Sequence, residues 1–254
     1  MFYIMRINEN IKVFKNTLWM SKTIYKDETR KSMKETEVII NGADFLTKGY
    51  KNKKQSIRIT NKGSVATILG VVTPSRVAVL NFADALTPGG LVFEGVETQE
   101  EDLCRCSNLY PCISQEKVFD DYYGYNRSLE NDIYSDRLIY SKDVLFFKDE
   151  DYWCIPIRTK CDVITCPAPV ECSDKQVFIN RIKCIIGAAY SKGVGTLVLG
   201  GWGTGAFGND SYLVATAFKE VLDEYKLFDV VYFPFKCSET DPSDNYKVFK
   251  EVLL

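Results

Sequence analysis

Histidine is absent from the 254 residues of this chain. Its absence excludes Ser-His-Asp and Cys-His catalysis, HExxH metal sites and proton transfer by imidazole. The chain has nine cysteines but no CxxC pair, so a thiolate zinc site has weak support and free, buried thiols are the favoured interpretation. Chemistry in this protein must therefore come from carboxylates, cysteines, lysines, tyrosines or a bound metal.

Long apolar runs and a strong net charge are also missing. No run reaches the ~18 to 20 apolar residues that a membrane span needs, and the N-terminus lacks the basic-then-apolar layout of a signal peptide. The formal net charge is −2, which gives no electrostatic footprint for direct binding to duplex nucleic acid. The scattered cysteines are unlike a secreted disulfide framework. These features predict a cytoplasmic protein that does not bind a membrane.

The arrangement of apolar residues predicts an α/β fold. Up to about residue 50, apolar residues recur at helical spacing, as in residues 8–23 and 30–45. From Ser56 onwards, short apolar runs rich in β-branched residues alternate with helical stretches, which predicts a mixed sheet flanked by helices. We therefore expect residues 1–50 to form an N-terminal helical extension packed on a main domain of residues 51–254. Within that domain, residues 135–156 are predicted to be a hairpin-rich insertion.

A glycine-rich segment, residues 81–103, joins a predicted buried strand to a predicted helix through a PGG turn (residues 88–90). In α/β sheets, ligands bind beyond the carboxyl ends of strands, and glycine lets the backbone approach a ligand closely. The alternative is a capping box with Thr98 as N-cap and Glu101 at the third helical position. Spacing alone favours that alternative, because acidic residues are common at helix starts. The candidate site residues of this segment are Asn81, Gly89, Gly90, Gln99, Glu100 and Glu101.

A second glycine-rich segment, the glycine loop (residues 200–208), follows another predicted strand and precedes a helix expected to begin near Asn209. It holds five glycines in nine residues, and exposed amides at a helix start can bind an anion such as a phosphate. Trp202 and Phe207 stand among the glycines, where aromatic rings can stack on a base or a ribose. The alternative is a tight turn filled by core aromatics, but five glycines exceed what a turn needs, so ligand binding is favoured.

At these residues the chain resembles the microbial-type poly(ADP-ribose) glycohydrolases of the macrodomain superfamily. The resemblance rests on PGGL with the following Gln-Glu-Glu, on RCSNLYPCI, on TCPAP and on LGGWGTGAFGND, and it extends to the N-terminal helical segment. It implies a macrodomain-like fold and hydrolysis of the ribose–ribose O-glycosidic bonds of poly(ADP-ribose), with release of ADP-ribose. The family usually has a third glycine after the proline, where this chain has Leu91, whose Cβ could meet a closely approaching ribose.

The resemblance also implies roles for the candidate residues. Glu101 is the catalytic acid and Glu100 positions the ribose. Neighbouring side chains on a helix point about 100° apart, so the two are not expected to flank one bond as a glycosidase pair. A single carboxylic acid can protonate the leaving oxygen and then activate water, and neither a metal nor another cofactor is required. The substrate-binding residues are Asn81, Gly89, Gly90 and Gln99 on the catalytic side, Gly203, Thr204, Gly205 and Ala206 at the diphosphate, and Phe207 at the adenosine or distal ribose.

The implied partner is ADP-ribose or poly(ADP-ribose) on modified proteins. Two alternatives share the fold and the ligand. In one, Leu91 disables the chemistry and the protein is a non-hydrolytic ADP-ribose-binding macrodomain. In the other, the protein hydrolyses a different ADP-ribosyl linkage.

Overall fold

The computed structural model of the chain describes residues 2–46 and 54–254. Within these ranges, the strands are β1 (Glu37–Ile39), β2 (Ser56–Thr60), β3 (Arg76–Phe82), β4 (Leu138–Lys148), β5 (Cys154–Cys166), β6 (Val194–Val198) and β7 (Val230–Pro234). They form one sheet in the order β1-β4-β5-β3-β6-β7-β2. β4 is antiparallel to β1 and β5, whereas the remaining pairs are parallel. The predicted α/β fold with a mixed sheet is confirmed.

Helices cover both faces of this sheet, and β3 shows how. Ala78 and Leu80 belong to one buried apolar cluster and Val79 to another, because successive strand residues point to opposite faces. Helices α8 (Lys175–Ser191), α9 (Ser211–Glu224) and α10 (Asp244–Leu253) contribute to the first cluster. The second takes residues from α1 (Phe2–Lys22), α3 (Ser64–Gly70), α4 (Gln99–Cys106) and α5 (Leu109–Ile113). The second cluster also includes Val118 of α6 (Glu116–Val118) and Tyr122 of a π-helical turn (Phe119–Gly124), and the remaining α-helices of the described ranges are α2 (Lys26–Lys34) and α7 (Tyr125–Ser128).

The interpretation of residues 30–45 as helical is wrong beyond α2. Helix α2 ends at Lys34, and the chain continues as β1 and a 3-10 turn, Gly42–Phe45. The β-branched residues Val38 and Ile39 favour an extended strand, and β1 pairs with β4 at the sheet edge. The segment before residue 50 therefore contributes a strand as well as helices. The predicted domain boundary itself, between residues 50 and 51, lies outside the described residues.

Residues 135–156 are not an insertion. They include β4 and the start of β5, which form a hairpin, but both strands belong to the central sheet and β5 pairs in parallel with β3. The second half of β5 is fully buried. Because a buried strand must be covered by neighbours, the hairpin lies within the sheet. No helix in the described parts of the chain combines the length and apolar character that a membrane crossing needs.

The topology brings the two glycine-rich segments together. β3 and β6 are adjacent and parallel, so their carboxyl ends lie at one edge of the sheet. The PGG turn follows β3 and the glycine loop follows β6. The candidate site is therefore built at this edge.

Candidate active site

Gln99 fixes the start of α4 to the end of β3. Its Oε1 accepts a hydrogen bond from the Phe82 N–H (2.9 Å), and its Nε2 donates to the Leu80 carbonyl (2.8 Å). Nε2 also donates to Ser64 Oγ at 3.1 Å. The side chain continues the hydrogen bonding of the strand edge, and it therefore positions the two glutamates that follow it.

Glu100 turns towards the sheet and is only 2% exposed. Its Oε1 accepts from Asn81 Nδ2 (3.0 Å) and its Oε2 from the backbone N–H of Asp84 (2.7 Å). Burial raises the pKa of Glu100 to about 8, and the charges of Glu101 and Asp84 add to this, although the two hydrogen bonds oppose it. Asn81 is fully buried and also donates to Thr165 Oγ1, so it holds Glu100 in place.

Glu101 is 4% exposed and is bound at both oxygens. Oε1 accepts a 2.9 Å hydrogen bond from the backbone N–H of Leu91, and Oε2 accepts one from the Thr98 hydroxyl. Thr98 is the N-cap of α4, but its side chain makes no capping hydrogen bond to the helix amides. The capping box that the spacing favours is therefore not formed, because the Thr98 hydroxyl binds the Glu101 carboxylate instead.

The PGG turn passes directly over the two carboxylates. Gly89 and Gly90 have φ values of +71° and +55°, which glycine adopts without strain. A Cβ on Gly90 would lie 2.5 Å from Glu101 Oε1 and 3.3 Å from Glu100 Oε2. The two carboxylates thus meet at one point of the backbone although their side chains leave the helix in different directions. Leu91 has a φ of −99°, so this position needs no glycine.

A cavity of about 430 Å³ opens at the same edge of the sheet. Its wall includes every predicted residue of the glycine loop: Gly203, Thr204, Gly205, Ala206 and Phe207. From the start of α4 it takes Thr98 and Gln99. Its lining does not include Asn81, Glu100, Glu101, Gly89 or Gly90, and Glu101 reaches the cavity wall through Thr98.

Two asparagines that sequence reasoning missed as site residues hold the glycine loop in shape. Asn209 Nδ2 donates to the carbonyls of Gly203 (2.8 Å) and Pro169 (2.7 Å). Asn245, at the start of α10, donates to Thr204 O (3.1 Å) and Thr204 Oγ1 (3.0 Å). Asn245 lies 41 residues from Thr204 in the sequence, so no local pattern could indicate it. Helix α9 starts at Ser211, close to the predicted start near Asn209.

The two aromatic residues of the glycine loop have different surroundings. Trp202 is fully buried, packs edge-on against Phe178 and Phe218, and donates from Nε1 to the Cys166 carbonyl. Trp202 therefore fills the core. The alternative of a tight turn filled by core aromatics predicted this for both Trp202 and Phe207. Phe207 is half-buried and lines the cavity. Further lining residues that the sequence did not indicate are Phe82, Phe235 and Lys236, which lie at or just after the ends of β3 and β7.

Comparison with known proteins identifies the family. The family model for the microbial-type PARG catalytic domain matches residues 12–149. No curated protein matches the chain. The Thermomonospora curvata poly(ADP-ribose) glycohydrolase bound to the inhibitor ADP-HPD shares the fold, with a TM-score of 0.84 at 24% identity over 96% of this chain and 99% of that one. The Deinococcus radiodurans poly(ADP-ribose) glycohydrolase in complex with ADP-ribose has a TM-score of 0.80 at 27% identity over 89% of this chain and 96% of that one. The family model spans more than half of the sequence, so the chain belongs to the microbial-type poly(ADP-ribose) glycohydrolases, which confirms the predicted enzyme class.

Proposed function

We propose that Glu101 is the general acid with which this enzyme cleaves the ribose–ribose bonds of poly(ADP-ribose) and releases ADP-ribose. The observation that carries this proposal is the position of the Glu101 carboxylate, bound to Thr98 on the cavity wall and to the Leu91 amide at the PGG turn. A sugar whose diphosphate lies in the cavity would therefore have its anomeric carbon near this carboxyl group.

The reaction needs one proton donor and one water. Glu101 protonates the departing 2′-oxygen, the C1″–O bond breaks, and the positive charge that develops on the ribose is of the oxocarbenium type. The resulting Glu101 carboxylate then takes a proton from water, whose oxygen attacks C1″, which restores the acid. The Leu91 amide and the Thr98 hydroxyl donate hydrogen bonds that stabilise the carboxylate formed between these steps.

Glu100 supports this chemistry although its side chain does not line the cavity. Since its pKa is raised to about 8, Glu100 retains a proton near neutral pH. Asn81 and the Asp84 amide hold Glu100 against the sheet. We assign to Glu100 a positioning role towards the ribose, and to Asn81 the role of holding Glu100.

We propose that the glycine loop binds the diphosphate of ADP-ribose and that Phe207 contacts the adenosine or the distal ribose. The support is that Gly203, Thr204, Gly205, Ala206 and Phe207 all line the cavity, and that backbone amides in such a loop suit an anion. The D. radiodurans enzyme, 27% identical to this chain, was solved in complex with ADP-ribose, which supports the same ligand here. Poly(ADP-ribose) on modified proteins is the proposed substrate.

We propose that the N-terminal helical segment is an extension that braces the catalytic side. Asn10, buried in α1, donates to the Gly95 carbonyl (3.0 Å) and to Glu97 Oε1 (2.8 Å). A Cβ on Gly95 would lie 2.5 Å from the Ile7 carbonyl oxygen, so the helix and the segment leading to Thr98 are in close contact. These contacts favour one folding unit in which α1 stabilises the approach to α4.

We also propose that the protein works in the cytoplasm. All nine cysteines are free thiols and seven of them are buried. Burial raises the pKa of the Cys112 thiol to about 12, which makes it unreactive at neutral pH. This cysteine use is typical of a reducing compartment.

The test is incubation of the purified chain with automodified poly(ADP-ribose), with free ADP-ribose measured by mass spectrometry. We expect ADP-ribose to accumulate with wild type and not with Glu101→Gln. Binding of ADP-ribose without release from the polymer would instead support the non-hydrolytic alternative. Release of ADP-ribose only from other ADP-ribosyl linkages would support the alternative in which the protein hydrolyses a different linkage.

A further inference from the structure

Apolar side chains are exposed immediately after the PGG turn. Leu91 is 45% exposed and Phe93 is 51% exposed. The ring of Phe93 packs edge-on against Tyr110 (5.4 Å between centroids) and Phe14 (4.9 Å). Tyr110 lies directly against the turn, since a Cβ on Gly89 would be 2.9 Å from its Cδ2. We call Leu91, Phe93 and Tyr110 the apolar patch.

Glu101 lies between this patch and the cavity. The Oε2 atom of Glu101 accepts a hydrogen bond from Thr98, which lines the cavity. Its Oε1 atom accepts one from the backbone of Leu91, which does not line the cavity. A bond whose leaving oxygen is protonated by Glu101 thus has one side in the cavity and the other side near the patch. The ADP-ribose unit that carries C1″ lies on the cavity side. The patch side is therefore left for the leaving group, which is the rest of the polymer.

We infer that the apolar patch is a subsite for the departing adenosine of the polymer, an inference that rests on the proposed function. In a ribose–ribose linkage the leaving 2′-oxygen belongs to an adenosine, which carries a large aromatic base close to that oxygen. Adenine has two π faces, and a base stacked on an aromatic side chain is a recurrent contact in nucleic-acid binding. Phe93 offers a half-exposed ring held firmly by two edge contacts, and Leu91 adds an apolar side chain beside the acid.

The size of the patch favours this occupant over a protein. A stable protein interface buries about 800 Å² on each partner, far more than two exposed side chains supply. One base covers an aromatic ring and a neighbouring aliphatic side chain. Leu91 thus has a function in this inference: a glycine at the same position would leave the Glu101 hydrogen bond in place and remove part of the base contact.

The experiment compares Phe93→Ala and Leu91→Gly with wild type and with the control Ile157→Ala. Ile157 is 82% exposed on β5 and lines no cavity described above. Three quantities are measured: kcat/KM on poly(ADP-ribose), the Kd of free ADP-ribose, and the Kd of adenosine for enzyme already saturated with ADP-ribose. The last mimics the product complex and requires no turnover.

We expect Phe93→Ala to lower kcat/KM on the polymer and to weaken adenosine binding, each by about five- to tenfold, as for a lost stacking contact at the low end of its range. Leu91→Gly should have a smaller effect in the same direction. The Kd of ADP-ribose and all values for Ile157→Ala should stay at wild-type levels.

Three results would overturn the inference while leaving the proposed function intact. The first is polymer cleavage by Phe93→Ala at the wild-type rate, and the second is adenosine that does not bind wild type saturated with ADP-ribose. An equal loss of ADP-ribose affinity in Phe93→Ala would also overturn it, because the residue would then act on the site as a whole. If wild type cleaves no polymer, the proposed function fails, and the adenosine measurement still decides whether the patch binds a nucleoside.

Discussion

The backbone N–H of Leu91 donates a 2.9 Å hydrogen bond to Oε1 of Glu101, which joins the PGG turn to the start of α4. An amide of any residue except proline can make this bond, and Leu91 has a φ of −99° that any residue tolerates. The third glycine that the family resemblance leads one to expect at this position is therefore not needed for the backbone. Nothing in this geometry favours loss of catalysis through Leu91.

The first prediction concerns the proton donor. Glu101→Gln keeps the size of the side chain and can still accept the Leu91 hydrogen bond, but it cannot deliver a proton. We expect turnover of poly(ADP-ribose) to fall by about 10² to 10⁴, as for loss of general acid catalysis. ADP-ribose binding, measured by calorimetry, should persist because the cavity wall is unchanged.

The matched control for this variant is Glu94→Gln, which changes an exposed glutamate seven residues earlier on the same segment. It should retain wild-type turnover. Near wild-type turnover by Glu101→Gln would show that the catalytic assignment is wrong.

The second prediction concerns the close approach of Gly90 to the carboxylates. In Gly90→Ala the new Cβ would lie 2.5 Å from Glu101 Oε1, so the Glu101 carboxylate must move and, if Glu101 is the acid as proposed, activity should be lost. Gly193→Ala is the control, since Gly193 also has a positive φ (+74°) but nothing within 4 Å of the Cβ position. Both variants should lose about 1 to 2 kcal/mol of unfolding free energy through backbone strain. Equal polymer turnover by the two variants would contradict this interpretation.

Local sequence patterns predicted the parts of the site that depend on one strand and the loop after it. The strands β3 and β6 were predicted from apolar runs, and parallel neighbours bring the segments that follow them to one edge. The PGG turn and the glycine loop were predicted because each is a glycine-rich stretch that directly follows a predicted strand. The hairpin of β4 and β5 was misplaced because pairing with a distant strand leaves no local signal. Spacing also favoured capping at Thr98, since it cannot show that the Glu101 side chain reaches the turn instead of the helix amides.

The third prediction concerns pH and stability. The pKa of Glu100 is raised from 4.5 to about 8 in the folded chain, so between these values the folded state binds more protons than the unfolded state. The stabilisation is complete below about pH 4.5 and is lost as the pH rises through about 8. Glu100→Gln cannot titrate, so the stability of wild type relative to this variant should fall between about pH 5 and pH 8 and level off above that.

Urea unfolding at several pH values measures this difference, and Glu94→Gln again serves as the control because its side chain is exposed. A difference between wild type and Glu100→Gln that does not change with pH would mean that Glu100 is not protonated by burial. Turnover of the polymer should also decline above about pH 8 in wild type, where Glu100, the proposed positioning residue, becomes charged.

The fourth prediction concerns metals. No group of three or more cysteine, aspartate or glutamate side chains among residues 2–46 and 54–254 is placed to hold a metal ion. We expect polymer turnover to be the same with and without a chelator. Loss of turnover in the chelator with recovery on adding zinc or magnesium would contradict the single-acid mechanism.

The last prediction separates the two aromatic residues of the glycine loop. Phe207 lines the cavity, so Phe207→Ala should weaken ADP-ribose binding by about 1 to 3 kcal/mol, the value of one stacking contact, while the protein stays folded. Trp202 is fully buried, so Trp202→Ala should instead lower the free energy of unfolding by about 3 to 5 kcal/mol. Calorimetry with ADP-ribose and urea unfolding measure the two effects. Phe207 also packs against the buried cluster, so unchanged affinity with lost stability in Phe207→Ala would assign it to the core like Trp202.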